Sequence, residues 1–211
     1  MKVNAYYILV EVVLFGFMGC AFADETVRPE PKFLSRQKMV DCKVAILEGV
    51  DLSGIVKKSG GYTIDEKRNV LGMHTADFLM QESPVAFLSR VVAANLKSNG
   101  CEVIVTTKNS DANIRKLVVE VKRFDVKLQT SAFVGGGNVS SYISFVVSET
   151  NNGSSEPVSC TAKDTMPYNP TFEGFRVYEN AINRAVDIAL EGCGSNLLSL
   201  SKNSAAKTLS P

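Results

Sequence analysis

The side chains that could do chemistry in this 211-residue chain are few, and its five cysteines are the most informative of them. Cys20 follows Gly19 at the end of an apolar stretch, an arrangement in which lipoprotein processing modifies the thiol with lipid. Four further cysteines follow: Cys42, Cys101, Cys160 and Cys193. Their spacings form neither a zinc knuckle nor a C-x-x-C redox pair. An even number of cysteines in an exported chain predicts disulfides, because thiols oxidise outside the cytoplasm.

His74 is the only histidine, and it lies between Met73 and Thr75. A serine or cysteine hydrolase would therefore have to use His74 as its base, and no serine lies in a G-x-S-x-G elbow. Acidic residues are scattered, as on an ordinary solvated surface, rather than arranged as an evident catalytic pair. The sequence accordingly predicts no catalytic residue, no metal site and no cofactor.

Residues 1–23 have a lysine near the start, an apolar stretch and a small-residue end, which is typical of an export signal. Two processing routes remain open. Signal peptidase would cut after Ala23 and release a free periplasmic or secreted protein, whereas lipoprotein processing would leave Cys20 as a lipid-modified N-terminus. Glu11 interrupts the apolar stretch, which is shorter than the about 20 residues that a membrane-spanning helix needs.

The rest of the chain divides into three parts. Residues 24–39 contain Pro29 and Pro31 and predict a flexible tether. Residues 40–193 have enough apolar positions for a single domain, and residues 194–211 predict a disordered tail. A formal net charge of +1 gives no electrostatic reason to expect a nucleic-acid partner.

Hydrophobic periodicity predicts the elements of the domain. Strands are expected at 42–47, 101–105, 114–129, 139–147 and 157–163, and helices at 83–98 and 173–191. A change of face near Lys122 indicates a bulge. The first two strands are joined through a helix and should be parallel, and the others form an antiparallel meander. We therefore expect an α+β two-layer sandwich, in which a mostly antiparallel sheet of four to five strands carries both helices on one face.

The long connection at 49–82 is the first place to expect a binding surface, because long loops inside compact domains are usually functional or partly structured. Its apolar cluster is the candidate partner surface: Val70, Leu71, Met73, Phe78, Leu79 and Met80.

The predicted topology also selects a cysteine pairing. If the third strand is antiparallel to the first two, Cys42 and Cys101 start neighbouring strands at one end of the sheet, while Cys160 and Cys193 lie near the other end. Since a disulfide needs Cα atoms within about 7 Å, the expected pairs are Cys42 with Cys101 and Cys160 with Cys193.

The stretches Ile64–Val103 and Asn169–Leu190 resemble the YajG-like envelope lipoproteins, in which a strand, a glycine-marked loop and a helix are followed by a further strand. The resemblance implies a bacterial lipoprotein on the periplasmic face of the outer membrane, without established catalytic residues. Ala21 after a lipid-modified Cys20 would favour the outer membrane over the inner one.

The leading functional hypothesis is a noncatalytic envelope lipoprotein that binds a protein or lipid partner. A second hypothesis is a lipid or glycan carrier, with a pocket between helices and sheet lined by Phe87, Val91, Phe175 and Ile182. A third is an exported hydrolase that uses His74 or a carboxylate pair. A freely secreted or periplasmic form stays open beside the lipid-anchored one.

Overall fold

The computed structural model describes residues 23–32, 42–68, 73–106, 114–130, 136–150, 155–168 and 176–201. Within these ranges the chain forms nine strands and two helices. In chain order the elements are β1 (Glu25–Val27), β2 (Lys43–Asp51), β3 (Lys57–Lys58), β4 (Gly61–Arg68), β5 (His74–Met80), α1 (Pro84–Ser98), β6 (Glu102–Thr106), β7 (Arg115–Thr130), β8 (Gly137–Glu149), β9 (Val158–Tyr168) and α2 (Arg176–Ser201). They build an α+β fold with two sheets and a shared hydrophobic core.

The larger sheet has the strand order β6-β2-β7-β8-β9, in which β2 is parallel to both β6 and β7. The pairs β7 with β8 and β8 with β9 are antiparallel. The expectation of a mostly antiparallel sheet is therefore wrong, since the sheet is mixed. Consecutive strands were expected to form hairpins, but β2 lies between β6 and β7, so no hairpin constrains the direction of β7. The expected bulge is confirmed by a register shift between Val121 and Arg123.

Both helices pack on the larger sheet, α1 against β2, β6 and β7 and α2 mainly against β8 and β9. The helix α1 begins as predicted, with Pro84 in its first turn and Ser83 Oγ accepting the backbone N–H of Ala86 at 3.1 Å. Its apolar stripe includes Leu88, Val92 and Leu96, which are fully buried. The periodicity of this helix therefore indicated its buried face correctly.

The two predicted disulfides are confirmed, with Cα atoms 4.6 Å apart in Cys42–Cys101 and 5.4 Å apart in Cys160–Cys193. The strand directions behind the prediction are partly wrong, because β7, β8 and β9 run opposite to the expected directions. The width of the larger sheet keeps the two cysteine pairs apart. Two strands lie between β2 and β9, which separates them by about 14 Å and excludes exchange of partners.

The smaller sheet has the order β1-β5-β4-β3 and occupies most of the connection that was expected to be a long loop. β1 is parallel to β5, and the other pairs are antiparallel. β1 also corrects the expected tether at 24–39, because Glu25–Val27 is a strand and Val27 is fully buried. Residues 33–39 of that expected tether lie outside the described residues. The chain is therefore part of the folded domain from the start of β1.

Polar contacts fix the chain on both sides of β1. Lys67 Nζ donates to the carbonyl oxygen of Ala23 at 2.8 Å. The carboxylate of Asp24 accepts the backbone N–H of Asp77 at 2.8 Å, and Glu179 accepts the backbone N–H of Arg28 at 2.8 Å. A three-residue strand alone would be marginal, so these contacts and the burial of Val27 hold it.

The Asp65 carboxylate joins the smaller sheet to β7 and α2. Its Oδ2 atom accepts the backbone N–H of Leu128 and the hydroxyl of Tyr178, each at 2.8 Å. Asp65 pairs with Phe78 across the sheet, and the Phe78 ring stacks on Tyr178 with ring centroids 4.1 Å apart. Burial and the negative charge of Asp65 raise the pKa of Tyr178, so its hydroxyl stays protonated and donates.

The helix α2 continues to Ser201, so the predicted disordered tail is wrong for residues 194–201. Residues 202–211 lie outside the described residues. The last turns bury Cys193, Leu197 and Leu200 at helical spacing, which outweighs the cost of two glycines in the helix. Arg115 completes this end of the helix, since its Nη1 donates to the carbonyl oxygen of Leu200 at 2.6 Å while its Nε pairs with Glu149 at 2.9 Å.

Gly192 and Gly49 give opposite predictions for substitution by alanine. A Cβ atom at Gly192 would meet no atom within 4 Å, so Gly192→Ala should raise the free energy of unfolding by about 0.5–1 kcal/mol. A Cβ atom at Gly49 would lie 2.5 Å from Val118 Cγ1 and 2.7 Å from the carbonyl oxygen of Val119. Gly49→Ala should therefore lower it by about 1–3 kcal/mol. Urea unfolding with both disulfides intact measures the two values, and effects of the same sign would contradict the packing described.

Candidate functional site

The predicted partner surface does not survive as an exposed surface. Phe78, Leu79 and Met80 lie in β5 and are buried, because β5 is an inner strand of the smaller sheet. Met73 is 55% exposed, in agreement with a surface role. Val70 and Leu71 lie outside the described residues. The expectation of an exposed loop surface is therefore wrong for three of the six residues, because Phe78, Leu79 and Met80 belong to a core strand.

A different part of the same connection does expose large apolar side chains. Val50, Leu52 and Val56 are 55%, 57% and 63% exposed, and we call these three residues the connector patch. They follow one another between the end of β2 and the start of β3. The sequence does not mark these three residues as a surface. They are interspersed with Asp51, Ser53 and Gly54, which give the segment the composition of a turn.

Hydrogen bonds hold the connector segment in one conformation. The backbone N–H of Leu52 donates to the carbonyl oxygen of Val121 at 2.8 Å, and that of Thr63 donates to the carbonyl oxygen of Val56 at 3.0 Å. Between these anchors, the Asp51 carboxylate accepts the N–H of Ser53 at 3.0 Å. The connector patch is therefore presented by ordered backbone, which reduces the entropy that a partner would have to remove.

A polar cluster lies on the smaller sheet around Asp77, a buried carboxylate. Lys58 Nζ forms an ion pair with its Oδ2, and His74 Nε2 lies 2.9 Å from its Oδ1. Burial alone would raise the pKa of Asp77, but the hydrogen bonds from Lys58 and His74 outweigh it and hold the pKa below its usual range. The carboxylate is therefore ionised at neutral pH and serves as the centre of a charge cluster.

His74 is thus placed beside a carboxylate, as a hydrolase base would be, but the rest of such a site is not assembled around it by the described residues. Asp77 divides its oxygens between His74 and the Lys58 ammonium, which is an ion-pair arrangement. The cysteines of the described ranges are all in disulfides, so they supply no thiolate nucleophile there. The cluster stabilises the join between β3, β5 and the chain before β1.

A groove of about 490 Å³ lies between the end of α1 and the second half of α2. Asp187 and Glu191 line it one helical turn apart, together with Asn95 and Lys32. Burial, and then the charge of Glu191, raise the pKa of Asp187. The groove is therefore a polar surface feature in which two carboxylates of α2 lie one helical turn apart.

The carrier hypothesis required an apolar pocket between helices and sheet. Phe87, Val91 and Ile182 are at most 1% exposed and belong to the packed core, and Phe175 lies outside the described residues. Phe87 packs edge-to-face on Phe124 of β7 with ring centroids 6.1 Å apart. The space that a ligand would need at these side chains is filled by the protein itself.

Within the described part of the chain the structure has neither a cluster of metal ligands nor a helix suited to cross a membrane. There, no group of three or more histidine, cysteine, aspartate or glutamate side chains could hold a metal ion. Of the two helices there, neither is long and apolar enough to cross a membrane. The two disulfides fit an extracytoplasmic location.

Comparison with known proteins finds only distant structural similarities. No protein-family model and no curated protein matches the sequence. Among solved structures, a Xanthomonas campestris protein of family DUF330 is 13% identical with a TM-score of 0.44, over 84% of this chain and 95% of its own. A Helicobacter pylori protein described as a homologue of a neuraminyllactose-binding hemagglutinin is 11% identical with a TM-score of 0.41, over 83% and 90%. A PelC dodecamer from Paraburkholderia phytofirmans is 14% identical with a TM-score of 0.32, over 74% and 92%. Similarities at this level assign no family to the chain.

The Asp77 cluster predicts a pH-dependent stability. A carboxylate whose pKa is lowered in the folded state stabilises the fold above its unfolded pKa of 3.8, and this contribution is lost as the pH falls through the folded pKa. Asp77→Asn should therefore lower the free energy of unfolding by about 1–3 kcal/mol at pH 7, and by progressively less below about pH 4. Urea unfolding across this pH range measures the difference.

Glu66→Gln is the matched control, because Glu66 also pairs with a cation, Arg68, but both side chains are about half exposed. Its effect should stay below about 1 kcal/mol at pH 7. If the free energies of unfolding of the native chain and of Asp77→Asn differed by the same amount at every pH, that result would contradict the lowered pKa.

Proposed function

We propose that this protein is a noncatalytic envelope lipoprotein of the YajG-like type, anchored through Cys20 on the periplasmic face of the outer membrane, and that it binds a protein partner there. Support comes from the export-type sequence at 1–23, from the cysteine that follows Gly19, and from two disulfides that fit an extracytoplasmic location. The resemblance of the regions around α1 and α2 to the YajG-like lipoproteins points in the same direction.

The observation that carries the binding proposal is the connector patch. Three large apolar side chains are each more than half exposed within seven consecutive residues, on backbone that hydrogen bonds hold in place. Full burial of an exposed valine or leucine side chain contributes about 1.5–3 kcal/mol, and somewhat more than half of each of these three side chains is still open to solvent, so covering the patch is favourable. Charged residues beside it, Asp51 and Lys57, would form the polar rim that protein interfaces have.

Lipid anchoring is tested by the intact mass of the protein extracted from membranes of its native host. We expect a mature chain that begins at Cys20 and carries diacylglyceryl and acyl groups, and a Cys20→Ser variant that does not acquire them. A mature chain that begins at Asp24 would contradict the anchor, because cleavage after Ala23 removes Cys20.

Partner binding is tested by photo-crosslinking in intact cells, with the crosslinking amino acid placed at Leu52, at Val56, or at Val105 as control. Val105 is 48% exposed on the edge strand β6 and is therefore similarly accessible. We expect one protein to crosslink from positions 52 and 56 and not from 105. With that protein purified, Leu52→Ser and Val56→Ser should each weaken binding at least about 5-fold, whereas Val105→Ser should not. Equal crosslinking from all three positions would contradict the connector patch as the binding surface.

A further inference from the structure

We propose that one end of the smaller sheet, the end that carries Arg68, Met73 and His74, rests on the lipid bilayer, and that Met73 enters the interface. The inference deepens the proposed function and rests on the lipid at Cys20. The occupant of this surface is the membrane itself, and we call the surface the membrane end. Three observations carry it: the covalent reach of the chain, the register of β1, and the chemistry of the exposed side chains.

The covalent reach of the chain is short. Ala23 follows Cys20 by three positions, and an extended chain spans at most about 3.6 Å per position. The Cα atom of a lipid-modified Cys20 therefore lies within about 11 Å of the Cα atom of Ala23. Ala23 is fixed to the sheet, because its carbonyl oxygen accepts a hydrogen bond from Lys67 at 2.8 Å. A lipid at Cys20 must then hold this part of the sheet close to the bilayer, rather than at the end of a long tether.

The register decides which end of the sheet is held there. β1 is parallel to β5 with Glu25 opposite Phe78, and Asp24 accepts the backbone N–H of Asp77. Ala23 is then level with Ala76. Ala76 is two residues from His74 at one end of the sheet and four residues from Met80 at the other. A lipid held within about 11 Å of Ala23 is therefore tied nearer to the end that carries His74 than to the end that carries Met80.

The side chains at the membrane end suit a lipid interface. Met73 is a flexible apolar side chain that is 55% exposed. Two acidic groups nearby are paired with cations, Glu25 with Lys67 and Glu66 with Arg68, and Asp24 accepts the backbone N–H of Asp77. Pairing leaves little net charge to be desolvated as the surface approaches the headgroups.

The connector patch lies at the other end of the same sheet. Arg68 is opposite His74 at the membrane end, whereas Tyr62 is opposite both Met80 and Lys57 at the far end. Six residues of β4 separate these levels, a distance of about 20 Å. The inferred placement therefore keeps Val56 and its neighbours away from the lipid and available to a partner in the periplasm.

The test uses full-length, lipid-modified protein in vesicles of phosphatidylethanolamine and phosphatidylglycerol that contain a nitroxide-labelled lipid. A single environment-sensitive fluorophore is attached to an introduced cysteine in the variants Met73→Cys and Arg68→Cys at the membrane end. Val56→Cys and Lys57→Cys are the matched controls at the far end. All four positions are exposed, and peptide mapping verifies that the native disulfides are intact.

We expect loss of fluorescence and a blue shift from positions 73 and 68, and neither change from positions 56 and 57. Equal quenching at both ends, or quenching confined to positions 56 and 57, would overturn the inference while leaving the anchor in place. The intact mass of the same sample separates the two claims. Absence of lipid on Cys20 would remove the proposed anchor, and the membrane end with it.

Discussion

The arrangement of this molecule depends on two hydrogen bonds that the Asp65 carboxylate accepts. β7 is longer than β2. Beyond the end of β2, the edge of β7 that faces β2 has no strand neighbour within the larger sheet. Asp65 accepts the N–H of Leu128 at that edge, and the same oxygen accepts the hydroxyl of Tyr178 from α2. One atom therefore joins the smaller sheet, the larger sheet and a helix. Without it, a partly buried donor would lose its partner in each of the other two elements, at a cost of up to about 1–3 kcal/mol per group.

Geometry around Asp65 also explains an irregularity of β4. The register shifts between Thr63 and Asp65, so that Ile64 is buried in the core while Asp65 stands opposite Phe78. Phe78 stacks on the ring of the tyrosine whose hydroxyl Asp65 accepts. The shift thus brings a ring and a carboxylate to the same partner. The register shift is a β-bulge, and like many bulges it changes the direction in which neighbouring side chains point.

Much of the larger sheet could be predicted from the sequence because its signals are local. Ser83 and Pro84 mark the start of α1, alternation marks the strands, and a change of phase marks the bulge after Val121. Strand direction could not be predicted in the same way. It depends on which strands become neighbours, and the position of β2 between β6 and β7 leaves no local pattern.

The smaller sheet escaped prediction for a related reason. β1 has three residues and β3 has two, which is too few for a periodic pattern, and their stability comes from side chains distant in sequence such as Lys67 and Asp77. The connector patch could not be recognised for the same reason. Which apolar residues of the connection are buried and which are exposed depends on how these strands pair. Once β5 is an inner strand, Phe78 and Met80 must be buried, and Leu52 and Val56 are left outside.

Parallel pairing of β1 with β5 gives the domain its polarity. Had β1 entered antiparallel to β5, the chain would arrive from the end that carries Tyr62 and Met80, and a lipid at Cys20 would press the connector patch into the bilayer. The pair is parallel, so the chain arrives at the end that carries His74. Since Val27 is fully buried and Lys67 holds Ala23, this entry cannot reverse without opening the core. Under the proposed anchoring at Cys20, the same three-residue strand that closes the smaller sheet would determine which apolar side chains face lipid and which remain open to a protein.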